Sequence, residues 1–439
     1  MKYTENKDKK AFKKLALDNA GKIYPAAMTK KWNAVFAVSA YLDAFVDPKM
    51  LQQAVEDLAP RFSSMYVRLK KGFLWDCLVP ATDLNVVEKA SQSPCRMMEI
   101  KKFEKPLFRV VYDKSEIRAE FFHAVTDGTG AFEYLKALVF RYLQLAGKAP
   151  FHAAGVREVD ENPMDNEMRD EFLRIYEKGN RCSRADSNAY QLDLKKEENY
   201  LSRTEICMPL DRLKAVAKEK YGCTVTQYAA AVYAMALLSV YKSDADGSRK
   251  PVKLSVPVNL RRYWQSDTLR NFSSYVTINV TPDGEYTFEK VLELIRRGMA
   301  EKISKEKMFK NVCQNVADEK MLIARIAPNA VKKIFMRSAF HMYGEKKYTS
   351  TVTSVGYVRL PNEFLDRVRY MTATLGETSL NKINCAVVGY KNTLCVNIPS
   401  VSADKRVQSY FVDFVRSQGI PTGISTDFAP SDSLKNAAC

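Results

Sequence analysis

The stretch EFFHAVTDGTG, residues 120–130, carries one of only three histidines in the 439-residue chain. It places His123 at the end of an apolar segment, with Asp127 four residues later and glycines before a helical pattern. A neutral imidazole can accept a proton from a hydroxyl, thiol or amine near pH 7. The stretch therefore predicts a general base, although a lone histidine at a strand end is more often structural and Asp-Gly is a common turn.

The segments around this stretch favour a junction between a strand and a helix. Residues 107–112 and 117–122 predict two short strands around a polar turn, and His123 follows directly after the second strand. After Gly130, apolar residues recur at helical spacing through residues 131–140. The sequence thus predicts a hairpin, then the histidine, then a helix.

In this setting, His-x-x-x-Asp-Gly resembles the active-site motif of the superfamily of chloramphenicol acetyltransferase, plant-type acyltransferases and peptide-synthetase condensation domains. The similarity is greatest to its alcohol acetyltransferase branch. Other segments resemble the superfamily in the expected order between about residues 24 and 420, namely 35–42, 50–58, 254–262, 269–272 and 353–361. The resemblance implies an α/β fold with mixed sheets, in which two chloramphenicol-acetyltransferase-like domains form a V with a central channel.

The resemblance also implies roles for individual residues. His123 is expected to be the general base, while Asp127 holds the loop by pairing with Arg261 and Gly128 completes the motif. Two hydroxyls, Thr353 and Ser354, lie on a strand that resembles the Ser-Asn-x-Gly strand of the alcohol acetyltransferases, with Ser354 at the position of its asparagine. They are candidate donors to an oxyanion, although plain strand positions explain them equally well.

The activity implied by the resemblance is acyl transfer, with an O-acyltransferase expected. The enzyme would move an acyl group from a thioester to a hydroxyl or amine of a small-molecule acceptor, without an acyl-enzyme. Acyl-coenzyme A is the expected co-substrate, an acyl carrier protein is the alternative donor, and no permanently bound cofactor is expected. A binding or scaffold protein on the same fold, without chemistry, is the other hypothesis.

Length and composition agree with two domains. A chain of 439 residues is too long for one ordinary core, and its 46% hydrophobic content is enough to form two. We predict an N-terminal half at 1–150 that carries the motif, a polar crossover linker at 151–202 with a helix around 168–178, and a C-terminal half at 203–439. The apolar run at 225–241 predicts a buried helix and no transmembrane segment. No secretory pattern is visible in the first residues, which predicts a cytoplasmic protein, and we expect a monomer.

The formal net charge of +17 favours an acidic partner. The lysines and arginines are spread along the chain without a nucleic-acid-binding motif, so phosphates of coenzyme A or an acidic carrier protein fit better than nucleic acid. The nine cysteines lack Cys-x-x-Cys spacing, which favours reduced thiols and no zinc site. His152 and His341 lie far from other plausible ligands in the sequence, so no metal is expected.

Overall fold

The computed structural model describes residues 13–29, 32–90, 93–98, 104–183, 186–197, 200–244, 248–321 and 326–427. The strands are β1 (Leu15–Ala16), β2 (Val35–Leu42), β3 (Val67–Lys70), β4 (Cys77–Pro80), β5 (Val87–Lys89), β6 (Phe108–Asp113), β7 (Glu116–Phe122), β8 (Arg203–Pro209), β9 (Lys253–Asn259), β10 (Ser273–Asn279), β11 (Ser350–Tyr357), β12 (Val368–Leu375), β13 (Cys385–Tyr390), β14 (Thr393–Asn397) and β15 (Gly423–Asp427). The helices are α1 (Ile23–Ala27), α2 (Pro48–Leu58), α3 (Gly128–Leu145), α4 (Glu171–Ile175), α5 (Leu210–Ala215), α6 (Val225–Asp244), α7 (Phe288–Lys302), α8 (Lys305–Lys320), α9 (Asn329–Tyr343) and α10 (Arg406–Ser417). Short 3-10 helices lie at Asp165–Met168, Leu260–Arg262, Glu345–Lys347 and Asn362–Arg367, and α5 continues as a π-helical turn at Val216–Lys220.

Two large sheets organise the molecule. The first has five strands in the order β12-β2-β7-β6-β5, and the second has seven in the order β10-β9-β11-β13-β14-β8-β15. Most neighbours are antiparallel, but β5 and β6 are parallel, as are β11 and both of its partners. A three-stranded sheet, β1-β4-β3, lies apart from them. The prediction of an α/β fold with mixed sheets is confirmed.

The hairpin predicted around residues 113–116 consists of β6 and β7, which pair in register with Val110 opposite Ala119. β2 pairs along the other edge of β7, at the bounds predicted from the sequence. α3 follows directly and packs on β7, with the rings of Tyr134 and Phe121 edge to face at 5.6 Å. His123 therefore follows a central, fully buried strand that is held on both edges and by a helix.

The other face of β7 carries buried charges that join the two sheets. Glu116 accepts hydrogen bonds from Arg118 at 3.0 Å and from Arg203, the first residue of β8 in the second sheet, also at 3.0 Å. Burial alone would raise the pKa of Glu116, but Arg203 and Arg118 outweigh it and lower this pKa to about 2. Because removing one member of a buried ion pair strands the other, this contact fixes β7 against β8.

One strand crosses the division predicted from the sequence. β12 belongs to the segment 203–439, yet it pairs with β2 in the first sheet, with Met371 opposite Ala40. The segment 151–202 contains α4, near the helix expected at 168–178, and it buries Phe172 and Leu192 in the larger core. The three-part division therefore stays a prediction, and it does not describe β12.

α6 lies buried in the core beneath the second sheet, as predicted for the apolar run at 225–241. Among the described residues, no single helix has the length and apolar character needed to cross a bilayer. Only the pair 210–220 and 225–244, bent by 85° at its break, passes that test when the two helices are taken together.

The eight cysteines within the described ranges form no disulfide, and Cys439 lies outside those ranges. Cys207 and Cys395 face each other across β8 and β14, with their sulfur atoms 3.1 Å apart. Burial raises the pKa of the Cys95 and Cys385 thiols, so these two side chains pack as small apolar groups.

Candidate active site

His123 lies one residue beyond β7, where its backbone N–H donates to the carbonyl of Ala34 at 2.9 Å. Its ring stacks on Tyr24 of α1, with centroids 4.5 Å apart and planes inclined by 11°. On the β2 side it contacts Phe36, at 4.7 Å and 49°. The imidazole is thus held between two aromatic rings, which fix its plane and exclude much of the solvent.

The partner of the imidazole is Asn271, in the loop between the 3-10 helix at Leu260–Arg262 and β10. The side-chain N–H₂ of Asn271 donates to the backbone carbonyl of His123 at 3.0 Å and to Asp18 at 3.3 Å. Its Oδ1 therefore faces Nδ1 of His123, at 3.1 Å. Because an amide oxygen only accepts hydrogen bonds, Nδ1 carries the proton and Nε2 keeps its lone pair.

The protonation state follows from the same surroundings. Burial lowers the pKa of His123 below its usual value of 6.5. This effect outweighs the hydrogen bonds to its own backbone carbonyl and to Asn271, and the charges of Asp127 and Asp18, all of which raise the pKa. The imidazole is therefore neutral at pH 7, with Nε2 available to accept a proton.

Asp127 is fully occupied by contacts within the protein. Its Oδ1 caps α3 by accepting from the backbone N–H groups of Thr129 and Gly130, each at 3.1 Å. Its Oδ2 accepts from Arg261 and from the backbone N–H of Phe272, each at 2.8 Å. With four donors on two oxygens, the carboxylate holds structure together and has no lone pair left for a substrate.

Arg261, the partner expected for Asp127, also holds the loop that carries Asn271. Its guanidinium donates to the carbonyl of Thr268 at 2.8 Å and to that of Arg270 at 2.7 Å. Thr126 adds a hydrogen bond from its hydroxyl to the carbonyl of Leu269, at 2.6 Å. The loop at 268–272 is thereby clamped to the motif, and this clamp sets the position of the amide beside His123.

The two glycines that follow Asp127 differ in what the fold requires of them. A Cβ built on Gly130 would lie 2.3 Å from the carbonyl oxygen of Leu269, so only glycine lets this loop approach α3. A Cβ on Gly128 would meet no heavy atom within 4 Å. The described contacts thus give Gly130 a packing role, while the expected role of Gly128 at the active site stays a prediction.

The structure does not bring Thr353 or Ser354 into hydrogen-bond contact with His123 within the described residues. The Ser354 hydroxyl lies 3.1 Å from that of Thr226 at the start of α6, and Ser354 lines a cavity of about 520 Å³ whose lining does not include His123. Because neighbouring strand residues point to opposite faces, Thr353 faces away from α6. An oxyanion role for either hydroxyl stays a prediction.

The remaining histidines lie elsewhere. His152 has its Nδ1 2.7 Å from Glu158, and Asp160 lies close enough for the three to contact one cation. The expectation that His152 is remote from other ligands is therefore wrong. The group is largely exposed, and such surface clusters are common without a metal, so we assign none. Nδ1 of His341, in the last turn of α9, lies 3.4 Å from a carboxylate oxygen of Glu345, which begins the 3-10 helix that follows.

Sequence reasoning missed the residues that surround His123. Asn271 was part of a segment that resembles the superfamily, but its contact with the imidazole spans 148 positions and has no local signal. Tyr24 and Asp18 lie in no recognisable motif. The sequence does place Phe36 in a strand, and the pairing of that residue opposite Phe121 brings its ring beside the histidine.

No family model matches the chain, and no curated protein matches it by sequence. Solved structures do. The wax ester synthase/diacylglycerol acyltransferase from Marinobacter aquaeolei VT8 superposes with a TM-score of 0.56 and 14% identity, over 92% of this chain and 100% of that one. The first condensation domain of the CDA synthetase superposes with a TM-score of 0.57 and 14% identity, over 93% of this chain and 96% of that one. This chain has their fold.

A third structure is a variant of the starter condensation domain of rhizomide synthetase, in complex with C8-CoA. It gives a TM-score of 0.57 and 11% identity, over 92% of this chain and 94% of that one. At these identities the similarity shows the fold alone, a mixed α/β architecture of two subdomains. The central channel between them stays a prediction.

The clamp makes a thermodynamic prediction. Asp127→Ala and Arg261→Ala should each lower the free energy of unfolding by several kcal/mol, on the order of 3–5, because each strands a largely buried charge. The double variant should lose much less than the sum, with a coupling energy of about 1–3 kcal/mol in urea unfolding. The exposed pair Asp43 and Arg367, 3.1 Å apart, is the matched control and should couple by less than about 1 kcal/mol. Additive losses for the first pair would contradict the clamp.

Proposed function

We propose that the protein is an acyltransferase that moves an acyl group from acyl-coenzyme A to a hydroxyl or amine of a small-molecule acceptor, a hydroxyl above all. The observation that carries the proposal is the setting of His123: its Nδ1 lies 3.1 Å from the side-chain oxygen of Asn271, burial lowers its pKa, and no residue in the described ranges hydrogen-bonds its Nε2. A base of this kind suits an acceptor whose proton must leave as it attacks a carbonyl.

The proposed reaction needs no acyl-enzyme. Nε2 of His123 accepts the proton of the acceptor as its oxygen or nitrogen attacks the thioester carbonyl, giving a tetrahedral oxyanion. The oxyanion then collapses, the carbon–sulfur bond breaks, and the thiolate takes the proton back from the imidazolium to leave as free thiol. Asp127 and Asp18 favour the transient imidazolium, since both raise the pKa of His123 without touching its ring.

The similar structures support this chemistry by what their names state. One is an acyltransferase, and another is in complex with C8-CoA. The high positive charge of this chain suits a donor with several phosphates, although an acidic carrier protein would suit it too. A monomeric, cytoplasmic enzyme completes the proposal, and that part rests on the sequence alone.

The fold also serves other chemistry, since the epimerization domain from the third module of tyrocidine synthetase B superposes with a TM-score of 0.53 and 10% identity. A binding or scaffold protein without chemistry is the remaining alternative. It gives no reason for a partly exposed imidazole whose tautomer is fixed by a dedicated amide. Acyl transfer uses every element of that arrangement.

His123→Ala should lower thioester-dependent acyl transfer by about 10²–10⁴-fold, the usual contribution of a positioned base. Release of free thiol with a panel of alcohols and amines measures the rate, and thermal unfolding checks that the variant is folded. His152→Ala, at an exposed histidine, is the matched control and should keep full activity. Wild-type turnover in a folded His123→Ala protein would rule out the mechanism.

The lowered pKa of His123 and its contact with Asn271 lead to a prediction for the pH dependence of the reaction. Because the neutral imidazole is the active form and its pKa is lowered, kcat/KM should fall only as pH drops through a value below 6.5, and should be level from pH 7 to 8. Asn271→Ala should lower kcat/KM about tenfold or more, because the ring loses the hydrogen bond that orients it. Asn271→Asp should move the acidic limb to higher pH, because a carboxylate favours the imidazolium. An unmoved limb would mean that Asn271 does not contact the base.

The donor is tested by binding. Acetyl-coenzyme A should raise the melting temperature in proportion to the logarithm of its concentration above its dissociation constant. Coenzyme A that lacks its 3′-phosphate is the matched control and should bind more weakly if local cations hold the phosphates. If millimolar acyl-coenzyme A gives neither a thermal shift nor free thiol, while an acylated carrier protein supports turnover, the donor is the carrier protein.

A further inference from the structure

The outward face of α9 is apolar. Ile334 and Phe335 are 68% and 69% exposed, and Val331 and Met342 are exposed beside them. These residues follow helical spacing, so they share one side of the helix. Surface helices of a globular protein normally turn such a stripe toward the core. An uncovered stripe of this kind indicates a surface that meets an apolar partner.

Exposed apolar side chains also lie in the loop beside the start of α9. Phe73 and Leu74 are exposed there, Phe73 by 79%, and Ile326 is 64% exposed just before the helix. The loop is fixed to the helix, since Asn329 donates to the carbonyl of Phe73 and Lys332 to that of Leu74, each at 2.8 Å. We call these seven residues the apolar face: Phe73, Leu74, Ile326, Val331, Ile334, Phe335 and Met342.

The opposite side of α9 is packed, so its orientation is set. Phe340 stacks on Trp32 with ring centroids 4.3 Å apart, and Lys332 is buried with its ammonium over the ring of Trp75. Arg337 donates to the carbonyl of Met28, directly after α1. These contacts point the apolar face outward, away from the core.

The charges near the apolar face are mainly positive. Lys70 and Lys71 are exposed immediately before the loop, and Arg337 is exposed on α9. Lys333 is also partly exposed and pairs with Asp76 at 2.7 Å. A second copy of the chain placed on this face would bring these cations against their equivalents. A partner with an anionic surface and an apolar interior would pair with the cations and bury the apolar side chains.

We propose that the apolar face docks on the surface of a lipid bilayer that contains anionic lipids. Phe73, Ile334 and Phe335 enter the boundary between headgroups and acyl chains, and the flanking lysines and Arg337 contact the headgroups. α9 lies flat on the membrane as an interfacial helix. No part of the chain needs to cross the bilayer for this contact.

Docking has a consequence for the site, and this consequence rests on the proposed function. α9 packs on α1, and Tyr24 of α1 stacks on His123, so the membrane lies on the side of the molecule where the base is held. An acceptor or acyl donor dissolved in the bilayer would then reach the enzyme without crossing water. Vesicle binding itself is independent of catalysis, so its outcome is separable from that of the His123→Ala test.

The experiment is vesicle flotation of the full chain with phosphatidylcholine alone and with about one third phosphatidylserine added. The wild type should float with the mixed vesicles, and less so as salt screens the charges. Ile334→Glu/Phe335→Glu should bind at least about tenfold more weakly, since two apolar side chains no longer enter the lipid. Arg337→Glu should reduce binding to the mixed vesicles about fivefold and leave binding to phosphatidylcholine alone unchanged.

Phe151→Glu is the matched control, because Phe151 is 90% exposed but lies outside the apolar face. It should bind vesicles like the wild type. The proposal fails if the wild type floats with neither kind of vesicle, or if Phe151→Glu loses as much binding as the double variant. It also fails if the double variant keeps its vesicle binding but changes the oligomeric state in sedimentation velocity, since a second copy would then be the occupant.

Discussion

The carboxylate of Asp127 is the contact on which the rest of the site depends. It accepts two backbone N–H groups at the start of α3, the guanidinium of Arg261, and the backbone N–H of Phe272. One group thereby joins the first sheet, through the junction after β7, to a loop from the second half of the chain. Because the carboxylate is largely buried, each donor that left would strand a charge or a polar group, so the four contacts hold one another in place.

The chemistry of His123 follows from that clamp. The loop held by Arg261 presents Asn271, whose amide leaves only an acceptor toward Nδ1, and the proton is therefore confined to that nitrogen. The rings of Tyr24 and Phe36 remove water and lower the pKa, while the nearby carboxylates limit how far it falls. An imidazole in this balance is neutral at pH 7, and the nearby negative charge would favour its imidazolium form if it accepted a proton.

Local pattern explains which parts of this arrangement the sequence predicts. The hairpin, the strand at β2 and the helix after the motif follow from apolar periodicity within a few residues. The structure has β2 at its predicted bounds, the hairpin strands within one residue of theirs, and the helix within five residues of its bounds. The pairing of Asp127 with Arg261 was expected from the resemblance, and the two are in contact. The contact of Asn271 with His123 and the passage of β12 into the first sheet join distant segments, and no local pattern encodes them. Thr353 and Ser354 show the same limit. A strand pattern shows that neighbouring side chains point to opposite faces of the sheet, but it does not show what covers each face.

Low sequence identity to proteins of the same fold is understandable in these terms. The clamp requires an aspartate at a helix start, an arginine, and backbone groups that any residue supplies, while Gly130 is needed only where the loop carbonyl approaches. The buried pair of Glu116 and Arg203 fixes the two sheets against each other by a separate set of charges. Protein cores tolerate extensive substitution when volume and polar patterning are kept, so a fold can persist at 14% identity over 92% of a chain. Surfaces are freest of all, so an apolar helix face such as that of α9 can be gained without disturbing His123, whose ring stacks on Tyr24 of α1.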